Sequence, residues 1–298
     1  MTSPTKTHHN NSHEPVLLQA VIDVLRPVQG EKYLDLTAGY GGHASAVLDK
    51  LGNEKLLTLV DRDVEAIKAL ESFSKRGARV IQKDYLAAAA EIRSEAELFD
   101  MVLMDIGVSS PHLDRPERGF SFQNEGPLDM RMDQSSGHTA SDLIDSSSQE
   151  ELTRILFEYG EEPHAKRIAK LMVENRPFST TTQLAELIEG ELGRRGKIHP
   201  ATRTFQALRI AVNQELTQLE QALPIVLDIL KPGGRLAIIT FHSLEDRIVK
   251  RFFKQESEAG YEARLKLITK KPISGATNDV FNRRARSAKL RAAMKINI

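Results

Sequence analysis

The sequence predicts an α/β fold, a doubly wound, mostly parallel sheet with a helical insertion after its fourth strand. Three features carry this reading. Short apolar runs alternate with helix-length amphipathic stretches between Lys32 and Met104, the rhythm of βαβ units. Successive runs end on Asp61, Asp84 and Asp105, and sheets of this kind take ligands beyond the carboxyl ends of their strands. The rhythm then breaks from Ile106 to about Thr217, where helical periodicity continues without a clear strand.

Met1 to His13 is polar, and residues 1–12 are expected to form a disordered tail. His8, His9 and His13 lack a second ligand cluster, so no metal site is expected there. Apolar residues recur at helical spacing from Val16 to Leu25, and Pro27 with Gly30 stops that helix. The first strand is Lys32–Leu36, followed by a glycine turn and a helix over His43–Leu51. Lys55–Val60, Ala78–Gln82 and Met101–Met104 are the next strands, separated by helices Val64–Ser74 and Leu86–Glu97.

After Ile106 a polar loop rich in Gly, Pro, Asp and Arg runs to Ser136. Helices then follow at Gln149–Tyr159 behind a Ser148 cap, Ala165–Asn175, Gln183–Leu192 closed by Gly193, and from Pro200 past Ala211. The core resumes with helix Leu219–Leu230, bent or interrupted at Pro224, and Lys231-Pro232-Gly233-Gly234 turns into strand Arg235–Thr240. A helix at Leu244–Lys254 and strands near Leu265–Thr269 and Lys289–Ile296 complete the sheet. The expected plan is a core over 13–114 and 217–298, with a substrate-recognising helical insertion over 115–216.

The chain has no cysteine, which excludes disulfides and thiolate zinc sites. No apolar run approaches the ~18 residues that span a bilayer, and no export signal is visible. A cytoplasmic, soluble protein is expected. Formal net charge is zero but unevenly spread. After Asp279 come Arg283, Arg284, Arg286, Lys289, Arg291 and Lys295 with no acid, and Lys266, Lys270 and Lys271 lie just upstream. A phosphate-rich partner and an ordinary solvated surface both fit that pattern.

The turn Gly39-Tyr40-Gly41-Gly42-His43-Ala44 joins a strand to a helix. Glycine there lets a ligand approach the backbone, and the helix start adds oriented N–H groups. Gly39, Gly41 and Ala44 also satisfy the G-x-G-x-x-G/A dinucleotide pattern, which keeps a nicotinamide enzyme in play. Asp61, roughly 20 residues further on, is placed to bond ribose hydroxyls and serves NAD and S-adenosylmethionine equally. Asp84-Tyr85 offers a polar group and a ring for an adenine. Leu230-Lys231-Pro232-Gly233-Gly234-Arg235-Leu236 resembles the signature before the fifth strand of many class I methyltransferases, and it favours S-adenosylmethionine.

A wider resemblance rests on several long blocks in order. They include His13-Glu14-Pro15-Val16-Leu17-Leu18, Gly41-Gly42-His43, Asp105-Ile106-Gly107-Val108-Ser109-Ser110-Pro111 and Arg118-Gly119-Phe120-Ser121-Phe122. Gly126-Pro127-Leu128-Asp129-Met130-Arg131-Met132-Asp133, His199-Pro200-Ala201-Thr202-Arg203, Phe241-His242-Ser243-Leu244-Glu245-Asp246-Arg247 and Arg286-Ser287-Ala288-Lys289-Leu290-Arg291 continue the set. Together they resemble the bacterial RsmH (MraW) family, ribosomal RNA small subunit methyltransferases that modify N4 of a cytidine in the decoding region. The resemblance implies a class I methyltransferase (Rossmann-like) core and S-adenosyl-L-methionine as cofactor. It implies cofactor contacts from Gly41, Gly42, His43, Asp61, Tyr85, Asp105 and His112. Tyr85 stands where the family usually has Phe, and His112 where it has Gln; each keeps a ring or a hydrogen-bonding group.

A cytidine amine is a poor nucleophile, so the protein must align nitrogen, methyl and sulfur and surround the amine with acceptors. Asp105 with Ser109 and Ser110 loosely resembles the acid and Ser-Pro elements of amino-directed methyltransferases, and these three are the catalytic candidates. Asp105 orienting the methionine amino group is an equally open role. Asp129, Arg131 and Asp133 concentrate charge nearby in sequence and are candidate substrate contacts, with a loop held by local Arg–Asp pairs as the alternative. Arg203, Gln206, Arg209 and Asn213 share one helix face suited to phosphate and base contacts, while Phe205, Leu208 and Val212 turn inward. His242 and Glu245 read better as a helix-start network than as a metal pair. The expected partner is small-subunit ribosomal RNA, in the assembled subunit. The rivals are a methyltransferase acting on DNA or protein, an NAD-dependent oxidoreductase, and a non-catalytic assembly factor.

Overall fold

A computed structural model describes residues 15–107, 114–135, 137–194, 196 and 198–296. The chain divides into two compact units, one running to Ile106 and resuming at Ile225, the other spanning Gly107–Pro224. The helical unit is thus wider at both ends than the 115–216 read from the sequence.

The first unit is built on an eight-stranded mixed sheet in the order β3-β2-β1-β4-β5-β8-β6, with β7 also paired to β8. Strands β1 (Tyr33–Asp35), β2 (Leu57–Asp61), β3 (Arg79–Gln82), β4 (Phe99–Asp105) and β5 (Leu230–Thr240) pair in parallel. Strand β8 (Lys289–Lys295) runs antiparallel to β5, β6 (Leu265–Leu267) and β7 (Ile273–Ser274). The β5 segment differs from expectation. Lys231–Gly234 is not a turn before the strand but an irregularity within it, because Phe99 pairs with Leu230 and Met101 with Arg235.

Helices α1 (Leu18–Leu25), α2 (Gly42–Leu51), α3 (Val64–Lys75) and α4 (Tyr85–Ser94) belong to this unit. Asp63 and Asp84 cap α3 and α4 by accepting the N–H of Glu65 at 3.0 Å and of Ala87 at 2.8 Å. One face of the sheet buries Tyr33, Leu57, Leu59, Met101, Leu103 and Ile239 with Val21, Leu25, Val47, Leu51, Leu70 and Phe73. Those strand residues alternate in sequence, as a side-chain period of two requires.

In the second unit lie α5 (Ala140–Ser146), α6 (Gln149–Gly160), α7 (Ala165–Asn175), α8 (Thr181–Leu192) and α9 (Thr202–Asn213). Thr139, Ser148 and Thr180 cap the first, second and fourth of these. Among its described residues no strand occurs, only the bridge Pro127–Thr180. Helix α10 (Glu215–Asp228) contains Pro224 without interruption, and the boundary between the units falls there. The segment read as a polar loop is instead a packed one: Phe120, Leu128, Met130 and Met132 are buried with Leu152, Ile155, Ile168, Met172 and Phe205. Helix α11 (Ser243–Ser257) returns to the first unit, as does the short α12 (Gly275–Asn278). No described helix is long and apolar enough to cross a membrane.

Candidate active site

Register brings three carboxylates together in the first unit. Asp35 pairs with Leu59 and with Leu103, so Asp61 and Asp105 each stand two residues beyond it on neighbouring strands. With a period of two, all three side chains leave the sheet on one face. Asp35 is buried and accepts hydrogen bonds from the Tyr33 hydroxyl at 2.9 Å and the Thr37 N–H at 3.2 Å. Burial pushes its carboxyl up to about 7 against those hydrogen bonds, and the Asp61 charge adds to the rise. Asp61 accepts the N–H of Gly39 at 2.8 Å and of Asp63 at 2.9 Å, one on each oxygen. The Asp105 N–H donates to the Thr37 hydroxyl at 2.6 Å, tying the end of β4 to the residues after β1. Burial, then the charges of Asp35 and Glu245, raise the Asp105 carboxyl well above its ordinary range. Its Oδ1 has no hydrogen-bond partner among the described residues, which is costly for a buried polar atom unless a ligand satisfies it.

The glycine turn lies against this group, but its glycines serve different ends. A Cβ on Gly41 would fall 2.7 Å from the Phe73 ring, and one on Gly42 would fall 2.4 Å from Pro15 Cγ. These two are therefore required by packing of the chain on itself, not only by ligand approach as the sequence reading held. Gly39, at φ +52°, has open space on its Cβ side, with only the Thr37 carbonyl oxygen at 4.0 Å. The N-terminus of α2 has no side-chain cap, which leaves its first N–H groups oriented toward a ligand.

His43 is buried, and its Nε2 lies 3.0 Å from the Val16 carbonyl oxygen. A carbonyl only accepts, so Nε2 carries the proton and Nδ1 is left as the acceptor, 3.9 Å from Asp105 Oδ2. Burial lowers the imidazole to about 4, so the ring is neutral near pH 7. Tyr85 is half-buried at the first position of α4. Asp84, read as a polar group for an adenine, is occupied as the cap of that helix. Glu245 accepts the N–H groups of Phe241 and His242, at 2.7 and 3.2 Å, completing a capping box for α11. Ser109, Ser110 and His112 lie outside the described residues.

Within the helical unit, the candidate substrate residues turn much of their polarity inward. Arg131 donates to both oxygens of Asp129, at 2.8 and 3.0 Å, and Gln134 adds a third donor. Burial would raise the Asp129 carboxyl, but these Arg131 and Gln134 bonds outweigh it and hold the carboxyl below its usual range. Asp133 is exposed and accepts from the N–H and hydroxyl of Ser135. Arg209 makes a two-pronged pair with buried Glu215, both contacts at 2.9 Å. Gln206 donates to the Tyr159 carbonyl at 3.0 Å. Asn213 is buried, accepts the Met132 N–H at 2.8 Å and donates to the carbonyls of Met130 and Arg209. On the shared face of α9, Gln206 holds α6, Asn213 holds the 130–132 segment and Arg209 holds Glu215 at the start of α10, so each of these three candidate substrate contacts has a partner within the helical unit. Arg203 is exposed, with one bond at 3.3 Å to the Glu161 carbonyl.

The profile of the MraW methylase family matches residues 10–296. The chain belongs to that family. This MraW-family chain is 48% identical over 292 residues to ribosomal RNA small subunit methyltransferase H of Synechocystis sp., covering 95% of the chain and 93% of the relative. Proteins of the same name from Cyanothece sp. and Stenotrophomonas maltophilia are both 47% identical, covering 99% and 95% of this chain and 98% and 93% of themselves. Among solved structures, a putative methyltransferase from Streptococcus mutans in complex with SAH aligns over 96% of this chain and 100% of its own, at 11% identity and a TM-score of 0.47.

Sequence reasoning about this MraW-family chain missed Asp35, Tyr33 and Thr37. A signal was present, since Asp35 is the lone charge in the apolar run Tyr33-Leu34-Asp35-Leu36. A buried carboxylate in a central strand is rare without a partner.

Proposed function

We propose that this MraW-family chain is a class I methyltransferase that moves the methyl group of S-adenosylmethionine to N4 of a cytidine in small-subunit (16S) ribosomal RNA, in the cytoplasm. The observation that carries the cofactor is the convergence of Asp35, Asp61 and Asp105 on one sheet face beside the uncapped start of α2. A ligand with a sulfonium, an ammonium and a single carboxylate suits that charge pattern. The pyrophosphate of a nicotinamide dinucleotide brings two negative charges to the same acidic wall, which disfavours the oxidoreductase reading. The residues fit the group: Asp105 Oδ1, without a partner among the described residues, calls for a donor, and Gly39 leaves its backbone approachable.

When bound, the cofactor supplies a methyl group already activated by its positive sulfur. The chain has to place and dry the reactants. Asp61, held by two backbone N–H groups, presents its remaining lone pairs to ribose hydroxyls, and Tyr85 flanks the adenine. Gly41, Gly42 and neutral His43 shape the turn, and His112 completes the cofactor side. Asp105, with Ser109 and Ser110, accepts hydrogen bonds from the cytidine amine and takes the proton it loses as the N–CH3 bond forms. A carboxyl whose pKa is raised is a stronger proton acceptor once ionised. Methylation at C5 ordinarily needs a cysteine nucleophile, and the chain has none.

The relatives, ribosomal RNA small subunit methyltransferases H, support small-subunit ribosomal RNA as the substrate, and residues 107–224 are the RNA-recognising unit, acting on the assembled subunit. Incubating the enzyme and labelled S-adenosylmethionine with assembled subunits, free 16S RNA and DNA tests this. N4-methylcytidine formed on subunits is the expected product. Label in 5-methylcytidine, DNA or protein overturns the assignment, and equal rates on free RNA overturn only the preference for subunits.

A further inference from the structure

The segment Asp279–Arg286 lies outside the site above, and several contacts tie it to the rest of its unit. Gly275 meets Ala285 so closely that a Cβ on the glycine would fall 1.8 Å from the Ala285 carbonyl oxygen. Asp279 accepts the Leu17 N–H at 2.8 Å. Asn282 caps the short 3₁₀ turn Arg283–Ser287 by accepting the Arg284 N–H at 3.2 Å, and Ala285 within it is fully buried. On this frame Phe281 is 97% exposed and Val280 62% exposed. Arg283, Arg284 and Arg286 are exposed alongside, and a concavity of about 490 Å³ opens among Asp279, Val280, Asn282, Arg283 and Arg286. Packing gives no reason to hold a phenylalanine in water on a buried scaffold, and exposed aromatic and apolar surface of this kind marks interaction sites.

The charge is equally selective. Of the basic residues after Asp279, Lys289 and Arg291 pair with Asp246. Lys295 donates to the carbonyls of Leu227, Asp228 and Leu230 at the end of α10. Arg283, Arg284 and Arg286 by contrast are exposed, with no acid after Asp279 in the sequence. The loop also neighbours the glycine turn. Pro15 packs on Gly42, Val16 accepts from His43, and Leu17 bonds Asp279, so three consecutive residues link the two.

We infer that Phe281 with Arg283, Arg284 and Arg286 forms a contact surface for single-stranded RNA next to the methylation site. A base stacks on the Phe281 ring while the guanidinium groups take flanking phosphates, a combination that tolerates sequence and depends on salt. This inference rests on the RNA reading above.

The test uses the full chain with Phe281→Ala, Phe281→Trp and the pair Arg283→Ala/Arg286→Ala. A labelled single-stranded RNA is titrated by fluorescence anisotropy over a salt series, and KM and kcat are measured on small subunits. Phe281→Ala should weaken RNA binding and raise KM about 5- to 100-fold, with S-adenosylmethionine affinity unchanged, and Phe281→Trp should restore both. The arginine pair should lower the slope of log affinity against log salt by about 1.4. RNA methylation by the unaltered chain, with wild-type KM and salt slope in the variants, overturns the surface while leaving the function intact. So does a photo-crosslinker at position 281 that captures protein in place of RNA. If the unaltered chain methylates no RNA, the functional reading fails first and the surface with it.

Discussion

The imidazole of His43 donates from Nε2 to the Val16 carbonyl at 3.0 Å, fastening the start of α2 to the segment that leads into α1. Its protonation is disfavoured by burial, with a folded value of about 4 against 6.5 for the free group. The unfolded chain therefore binds the proton more readily. The stability this site contributes is complete above pH 6.5 and is lost as pH falls toward 4, by up to about 3 kcal/mol. Denaturant unfolding of the wild type and His43→Gln at pH 7 and pH 5 checks this. His43→Gln should lose less stability over that interval, and parallel losses would place the slope elsewhere.

Asp35 has the opposite sign. Its carboxyl is raised to about 7 by burial, so the folded chain binds the proton more readily, and that contribution disappears as pH rises through 7. A cationic ligand beside it favours ionisation. S-adenosylmethionine affinity should accordingly increase between pH 6 and pH 8, and Asp35→Asn should flatten the increase. Calorimetric titration at three pH values decides it; an unchanged rise in the variant assigns the effect to Asp105 instead.

Asp61 already spends one lone pair of each oxygen on the Gly39 and Asp63 N–H groups. Asp61→Ala removes both the anchor of the turn and the ribose acceptor. Cofactor affinity should drop by about 1.5–3 kcal/mol, the range for charge-assisted hydrogen bonds. Calorimetry on folded variant protein that shows no loss moves the ribose elsewhere.

Arg209 and Arg203 sit on the same helix face but should behave differently. Arg209→Ala leaves the buried Glu215 carboxylate without its two-pronged partner and should destabilise the helical unit by about 3 kcal/mol or more. Arg203→Ala loses one long exposed contact and should stay within about 0.5 kcal/mol of wild type. Thermal unfolding of both variants is the check, with activity read afterwards. An Arg209→Ala chain as stable as wild type but inactive on RNA would restore its reading as a substrate contact.

The aspartates at strand ends, the glycine turn and most helices were legible because periodicity, caps and glycines are local signals. Asp61 and Asp105 could be placed by counting residues from the glycines, and the blocks from Gly41-Gly42-His43 to Arg291 carried the family. Other surroundings were not legible, because the partner of a side chain lies far along the chain. Asn213 looks like a base-reading amide until it meets Met130 and Met132 some eighty residues away. The loop around Met130 looks solvated until its methionines are found in the helical core. Gly41 and Gly42 look ligand-directed until Phe73 and Pro15 close on them. The sequence by itself determined the order of the longer strands and helices, the carboxylates at the strand ends and the family, since each depends on residue type and spacing alone. Only the tertiary structure decided that Asp35 lies on the same sheet face as Asp61 and Asp105 and that Arg209 pairs with Glu215, because hydrogen bonding and burial depend on which distant residues meet.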